Sequence, residues 1–249
     1  MDLSTLPLVG PLVGGALHLG ADLLATLTAT LDPVAGPLAA ALAVVLATLA
    51  VRALLVPLSV LQVRAERDRR RLAPQLAALR KRYGTDTARL QRAVQELYTS
   101  EHVSPLAGCL PVLAQAPVLS LVYALFTHAT IAGATNTLLE ATLVGIPLGH
   151  SFVAVLTSPL WVHAWVVVLL LAALAVVVES TRRANLRWNP PAAADGAVPG
   201  SAATTAITRW VPFVTVVFAA IAPLAAALYV VTSVSWAAGE RAVLRRVLA

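Results

Sequence analysis

Arg52 stands alone in an apolar run from Leu38 to Leu61. An arginine at membrane depth costs about 2.5–3.5 kcal/mol on insertion scales, and intramembrane charges mark paths for polar cargo. It must meet water, a carbonyl or an anion, and no Asp or Glu lies in any predicted span to pair it. That favours a wet surface around Arg52 over a buried ion pair. Thr48, one turn outward on the same helix face, extends the polar stripe. Such a site does non-covalent chemistry: it offers a counter-charge to an acidic or hydrogen-bond-accepting group. A second cluster, Arg64, Arg67, Arg69, Arg70 and Arg71, suits anionic lipid headgroups. Docking of ribosomal RNA or a targeting factor is the sharper alternative for the same cluster.

Other chemistries have little to build on. His102, His128, His150 and His163 show neither metal-ligand spacing nor a nucleophile partner. Cys109 is the single cysteine, so it fits neither an internal disulfide nor a metal site. The phosphate-binding pattern GxxxxGK[ST] is absent. No catalysis, metal or cofactor is expected.

The elements that position Arg52 follow from composition. With 59 % hydrophobic residues, 12 % charged and a mean hydropathy of +0.81, the chain is not a soluble domain around one core. Apolar runs of membrane length require helices or a closed barrel, and these runs are continuous rather than alternating. An all-α integral membrane protein is predicted. The pI near 10.4 could point to nucleic acid, but the charges are segregated. Of the 18 Lys and Arg residues, none precedes Arg52 and none lies between Arg92 and Arg182. Under the positive-inside rule this pattern gives topology, and DNA is not an expected partner.

Five spans result: 37–61, 105–127, 159–178, 210–222 and 223–238. The last two turn at Pro223, which lacks an N–H and disfavours helix at Ala222. Two short helices there also return Arg241, Arg245 and Arg246 to the cytoplasm. Their shortness predicts local thinning of the bilayer. The N-terminus is outside and the C-terminus inside. Segment 1–36 lies outside, its Leu17, Leu24, Leu27 and Leu31 opposite His18, Asp22, Thr26 and Thr30, which predicts an interfacial amphipathic helix. The N-terminus lacks a basic n-region, so no cleaved signal peptide is expected. Segment 128–158 is an external loop, 179–209 a cytosolic loop and 239–249 a basic cytosolic tail. Trp161, Trp210 and Trp236 near span ends suit an interfacial belt.

Segment 62–104 predicts a cytosolic helical hairpin. Leu72, Leu76, Leu79 and Tyr83 follow helical spacing, as do Leu90, Val94 and Leu97. Gly84-Thr85-Asp86 supplies a stop and an N-cap, and Pro74 suits the first turn of a new helix.

The order of features then becomes recognisable. An arginine in the first span and a cytosolic hairpin precede Ser104-Pro105-Leu106-Ala107-Gly108-Cys109-Leu110-Pro111, with Gln115, Pro117 and Tyr123 following. The hairpin text Pro74-Gln75-Leu76, Arg82-Tyr83-Gly84 and Glu96-Leu97-Tyr98 fits as well. So does the closing span, with Pro223, Leu228, Tyr229, Ser233 and Trp236. Over residues 36–238 this chain resembles the YidC family of membrane protein insertases. The resemblance implies five transmembrane helices enclosing a hydrophilic groove, open to cytoplasm and lipid and closed outside. It implies that Arg52 faces the groove, with Thr48, Gln115, Tyr123, Tyr229 and Ser233 along it. Spans three and five would form the exit wall.

The implied function is an insertase and chaperone in the bacterial inner membrane. It would move short polar segments of nascent membrane proteins through the groove and release their helices into lipid. The ribosome, a targeting factor and the general translocon are candidate partners beside anionic lipids. A small anion channel or transporter, or a scaffold for membrane-complex assembly, are the alternatives. The chain departs from the family at Leu119, where an aromatic is common, and at Tyr229-Val230, where Tyr-Trp is frequent. Its third span has no polar side chain from Trp165 to Glu179, which implies a drier groove.

Overall fold

The computed structural model describes residues 10–84, 86–101, 103, 117, 120–128, 130–131, 134–188 and 201–247. The motif around Gly108, Cys109 and Pro111, and Gln115 with it, lies outside the described residues, as does the Arg69 side chain. Helix α1 (Gly10–Ala35) and a 3₁₀ turn (Gly36–Leu38) lead into α2 (Ala39–Leu54). Helices α3 (Val56–Tyr83) and α4 (Thr87–Ser100) form the hairpin. After a helical stretch over 120–125 come two small β-hairpins, β1 (Thr130–Ile131) with β2 (Ala134–Thr135) and β3 (Thr142–Leu143) with β4 (Ile146–Pro147). Then follow α5 (Phe152–Leu156), a 3₁₀ segment (Pro159–His163), α6 (Ala164–Trp188), α7 (Ser201–Ile221) and α8 (Leu224–Val247).

Helix α8 is the axis of the molecule, packing against α2, α3, α6 and α7. Every residue from Ala222 to Val230 is buried, as expected where a helix is apolar all round and enclosed by others. Ala225, Ala226 and Ala227 are buried, as are Ala39, Ala40, Ala41 and Ala43 of α2, and such small side chains let packed helices approach closely. The outward faces are apolar too. Val168, Leu169 and Val176 on α6 and Val211, Val214, Val217 and Ile221 on α7 are exposed, a surface suited to lipid rather than water. The stretches Leu17–Leu54 and Pro159–Trp188 are long and apolar enough to cross a membrane. In α1, Leu24 is buried and Leu17, Leu27 and Leu31 pack on the core, while His18, Asp22, Thr26 and Thr30 face away.

The helices outrun the apolar segments read from the sequence. Helix α3 crosses the predicted boundary at 61 without a break, α6 continues ten residues past 178, and α7 starts at Ser201 rather than 210. Helix α8 likewise carries the basic tail to Val247. Ending a helix at the membrane surface would leave four carbonyls unsatisfied, so continuation is the less costly course. The last two helices are 21 and 24 residues long, and the apolar part of α7 is Trp210–Ile221.

The interruption in the first span falls instead at Leu55. Pro57 cannot donate to the Ala53 carbonyl and suits the first turn of α3. The Leu55 N–H donates to both the Val51 and Arg52 carbonyls, at 3.1 Å each, closing α2 in a tight turn. In the hairpin, Pro74 lies inside α3 and starts no new helix. Gly84 is right-handed (φ −54°), so it is not a left-handed cap; a Cβ there would sit 2.7 Å from the Arg80 carbonyl oxygen. Asp86 does cap α4, its side chain accepting from the Arg89 N–H.

The loop over 134–158 is packed. Ile146, Leu148 and Val155 are fully buried, and Asn136 donates to the carbonyls of Leu125 and His128, closing the end of the 120–125 helix. The loop also receives α8: Leu224 N–H donates to the His150 carbonyl (2.8 Å) and Ala225 N–H to that of Leu148 (3.0 Å). Between α7 and α8 the chain breaks at Ala222-Pro223, and Pro223 bridges to Ser151.

Candidate functional site

Arg52 sits in the last turn of α2, where a cation meets the negative end of the helix dipole favourably. The side chain is 8 % exposed, and its Nε donates to Ser233 Oγ of α8 at 2.8 Å. Ser233 is itself buried. One turn earlier in α2, Thr48 is buried and its hydroxyl donates to the Val44 carbonyl at 2.6 Å. Tyr229 is buried one turn before Ser233, and Glu240 lies further along the same face. Tyr229, Glu240 and Arg241 are electrostatic neighbours of Arg52. Helices α2 and α8 thus bring together Arg52, Thr48, Tyr229 and Ser233.

Tyr123 belongs to a different group. Its ring lies 6.4 Å from that of Phe218, and it lines a shallow cavity of about 340 Å³ with His150, Ser151 and Pro223. Four buried polar atoms without hydrogen-bond partners continue the polar surface along α6 and α8: Thr181 Oγ1, Trp236 Nε1, Glu240 Oε1 and Arg245 Nε. Buried polar atoms normally find a protein or water partner, so this surface favours polar company.

The basic cluster at the foot of the hairpin is partly engaged within the chain. Arg64, Arg67, Arg70 and Arg71 are exposed. Arg71 pairs with Glu101 at 2.7 Å, an exposed bridge contributing at most about 1 kcal/mol. Arg70 lies over the Trp188 ring at 4.3 Å. The same ring lies 5.3 Å from the guanidinium of Arg245, which is 8 % exposed and donates to Glu66 (2.8 Å) and Asn185 (2.7 Å). Sequence reasoning missed Glu66, Asn185, Trp188 and Arg245. A signal was present on α6: the buried period of Val167, Leu174 and Val178 carries on through Thr181, Asn185 and Trp188. Nearby, Glu179 accepts from Arg182 and Arg183, and these bonds hold its carboxyl at about 2, well below 4.5.

Fold and site define a class: a helical membrane protein built on a central buried helix that binds an arginine of its first apolar span. The 60Kd inner membrane protein family matches residues 31–249, and the chain belongs to that family, the YidC family of insertases. The match leaves most of α1 outside. Among relatives, the membrane protein insertase YidC of Clostridium perfringens is 37 % identical over 83 residues, 33 % of this chain and 35 % of that protein. The YidC insertase of Pseudomonas putida strain F1 is 42 % identical over 76 residues, 30 % of this chain and 14 % of its own. That of Methylococcus capsulatus is 45 % identical over 76 residues, with the same shares. The matched segment thus spans about a third or less of these relatives' length.

Proposed function

We propose that this chain is an insertase for small membrane proteins of the bacterial inner membrane, N-terminus outside and C-terminus in the cytoplasm. The observation that carries this reading is Arg52, buried in an apolar helix yet bonded to a neutral hydroxyl, Ser233. A charge held this way is stabilised and still able to exchange partners, as a transit site requires. Family membership and the relatives' names support it.

In this reading five spans enclose a groove wetted from the cytoplasm, lined by Arg52, Thr48, Gln115, Tyr229 and Ser233, with Tyr123 toward its outer end. A short polar segment of a nascent protein enters it, and Arg52 offers a counter-charge that lowers the cost of leaving water. The packed outer loop closes the far side. The substrate's apolar helix then leaves between α6 and α8, where burial in lipid yields about 0.8 kcal/mol per CH₂ and drives completion. Arg64, Arg67, Arg69, Arg70 and Arg71 meet anionic lipid, and the hairpin meets the ribosome, a targeting factor or the translocon.

The test is insertion of a single-span substrate with an acidic outer tail into liposomes carrying wild type or Arg52→Gln, read by protease protection of the tail. Wild type protects the tail and the variant loses most of that protection. No protection above empty liposomes by wild type overturns the reading.

A further inference from the structure

Two cross-bonds join the same pair of rods. One rod is α2 and α3, interrupted at Leu55; the other is α8, continuous from Leu224 to Val247. On the α2 side of the interruption Arg52 donates to Ser233 at 2.8 Å. On the α3 side Arg245 donates to Glu66, also at 2.8 Å. Arg52 and Glu66 are 14 positions apart and Ser233 and Arg245 are 12 apart, which is about 21 Å and 18 Å at helical rise. The two bonds are therefore stacked along one seam, with the break in the first rod between them.

The second bond is a knot rather than a simple bridge. The same Nη2 of Arg245 also donates to Asn185 of α6 at 2.7 Å. Its guanidinium and that of Arg70 share the Trp188 ring, at 5.3 and 4.3 Å. One arginine thus fastens α3, α6 and α8 at the foot of the hairpin. A planar guanidinium can donate to two oxygens and lie near an aromatic ring at once, which an ammonium does less well.

We propose that Arg245 is the positioning residue of the hairpin: it sets the angle of α3 and α4 and, through α8, couples that angle to what Arg52 holds. Because α8 is one unbroken helix, its Ser233 and Arg245 move together. Because α2 and α3 are interrupted between Arg52 and Glu66, a change at Arg52 is taken up as an angle at Leu55. A substrate acceptor drawing Arg52 away from Ser233 releases the first bond while the Arg245 knot holds, so the hairpin pivots about Glu66 and stays attached. The inference rests on the substrate role proposed above for Arg52.

The test is a distance measurement by electron spin resonance on the full chain in lipid nanodiscs. Labels go on cysteines replacing exposed Ala88 of α4 and Ala184 of α6, in a Cys109→Ala background. Wild type gives one narrow distribution. Arg245→Met and Glu66→Gln each broaden it, and the charge swap of Glu66→Arg with Arg245→Glu narrows it again. Glu66 keeps 25 % side-chain exposure, so Glu66→Gln keeps the test open should Arg245→Met fail to fold. Ser233→Ala shifts the mean distance when Arg245 is present and not when it is Met, since only coupled sites depart from additivity. A narrow distribution in both Arg245→Met and Glu66→Gln overturns the positioning role. Equal shifts by Ser233→Ala with and without Arg245, or no shift at all, overturn the coupling. Distances behaving as stated while wild type inserts nothing into liposomes would sink the insertase reading alone.

Discussion

Two arginines of this protein are equally buried, each 8 % exposed, and each reaches across the same seam between α8 and the α2–α3 rod. Their partners differ. Arg52 donates to a neutral hydroxyl, whereas Arg245 donates to a carboxylate and an amide and lies near an indole. An ion pair with further hydrogen bonds is a fixture, because removing Glu66 takes the counter-charge from the buried Arg245. Among the contacts of Arg52, which also has Glu240 as an electrostatic neighbour, the bond to Ser233 is the lighter hold, worth about 1.5–3 kcal/mol, and a polar or acidic group arriving at the site can replace it. Burial alone therefore does not tell a working charge from a structural one; the chemistry of the partner does.

The largest expected effect on stability is at Arg245. Arg245→Met removes one donor from Glu66 and from Asn185 and lowers stability by up to about 3 kcal/mol, the low end for a broken buried pair because Glu66 is partly exposed. Thermal unfolding in detergent checks it. Arg245→Lys recovers only part of the loss, since an ammonium cannot reproduce the fork and the contact with Trp188. A variant as stable as wild type would erase the distinction between the two arginines. Next comes Ser233→Ala, expected to cost about 1.5–3 kcal/mol and no more than Arg245→Met, by removing one acceptor from a buried guanidinium. A larger loss there than at Arg245 would invert the comparison.

The smallest effect concerns a third arginine pairing, the one at Glu179. Its folded value is depressed to about 2 against an ordinary 4.5. The stabilising contribution is then complete above pH 4.5 and lost as pH falls toward 2. Carboxyl signals of labelled Glu179 should show no titration between pH 7 and pH 4. Protonation within that range would show that its bonds to Arg182 and Arg183 do not persist in solution.

Much of the Arg52 side of this comparison was legible in the sequence, and little of the Arg245 side. A lone charge in an apolar run announces itself, and a proline without an N–H marks the break before α8. The N-cap at Asp86 is a local side chain-to-backbone bond, readable from three residues. The bond between Arg245 and Glu66 spans 179 positions and leaves no local period. Arg245 read as one basic residue of a tail because helix α8 had no visible reason to continue, and Glu66 was one acid in a run of arginines. Pro74 reads as a helix start, yet α3 runs through it, with Leu72 two residues earlier fully buried. The break at Leu55 carried the same kind of signal in Pro57, but the apolar run continues past it to Leu61 and reads as one span.

The most direct test of a transit role for Arg52 compares two substrates that differ only in the outer tail, one acidic and one neutral. Insertion of each into liposomes by wild type and by Arg52→Gln gives two ratios. A counter-charge in the groove predicts a much greater loss for the acidic tail than for the neutral one. Equal losses for both tails would contradict the account and leave Arg52, like Arg245, a structural charge.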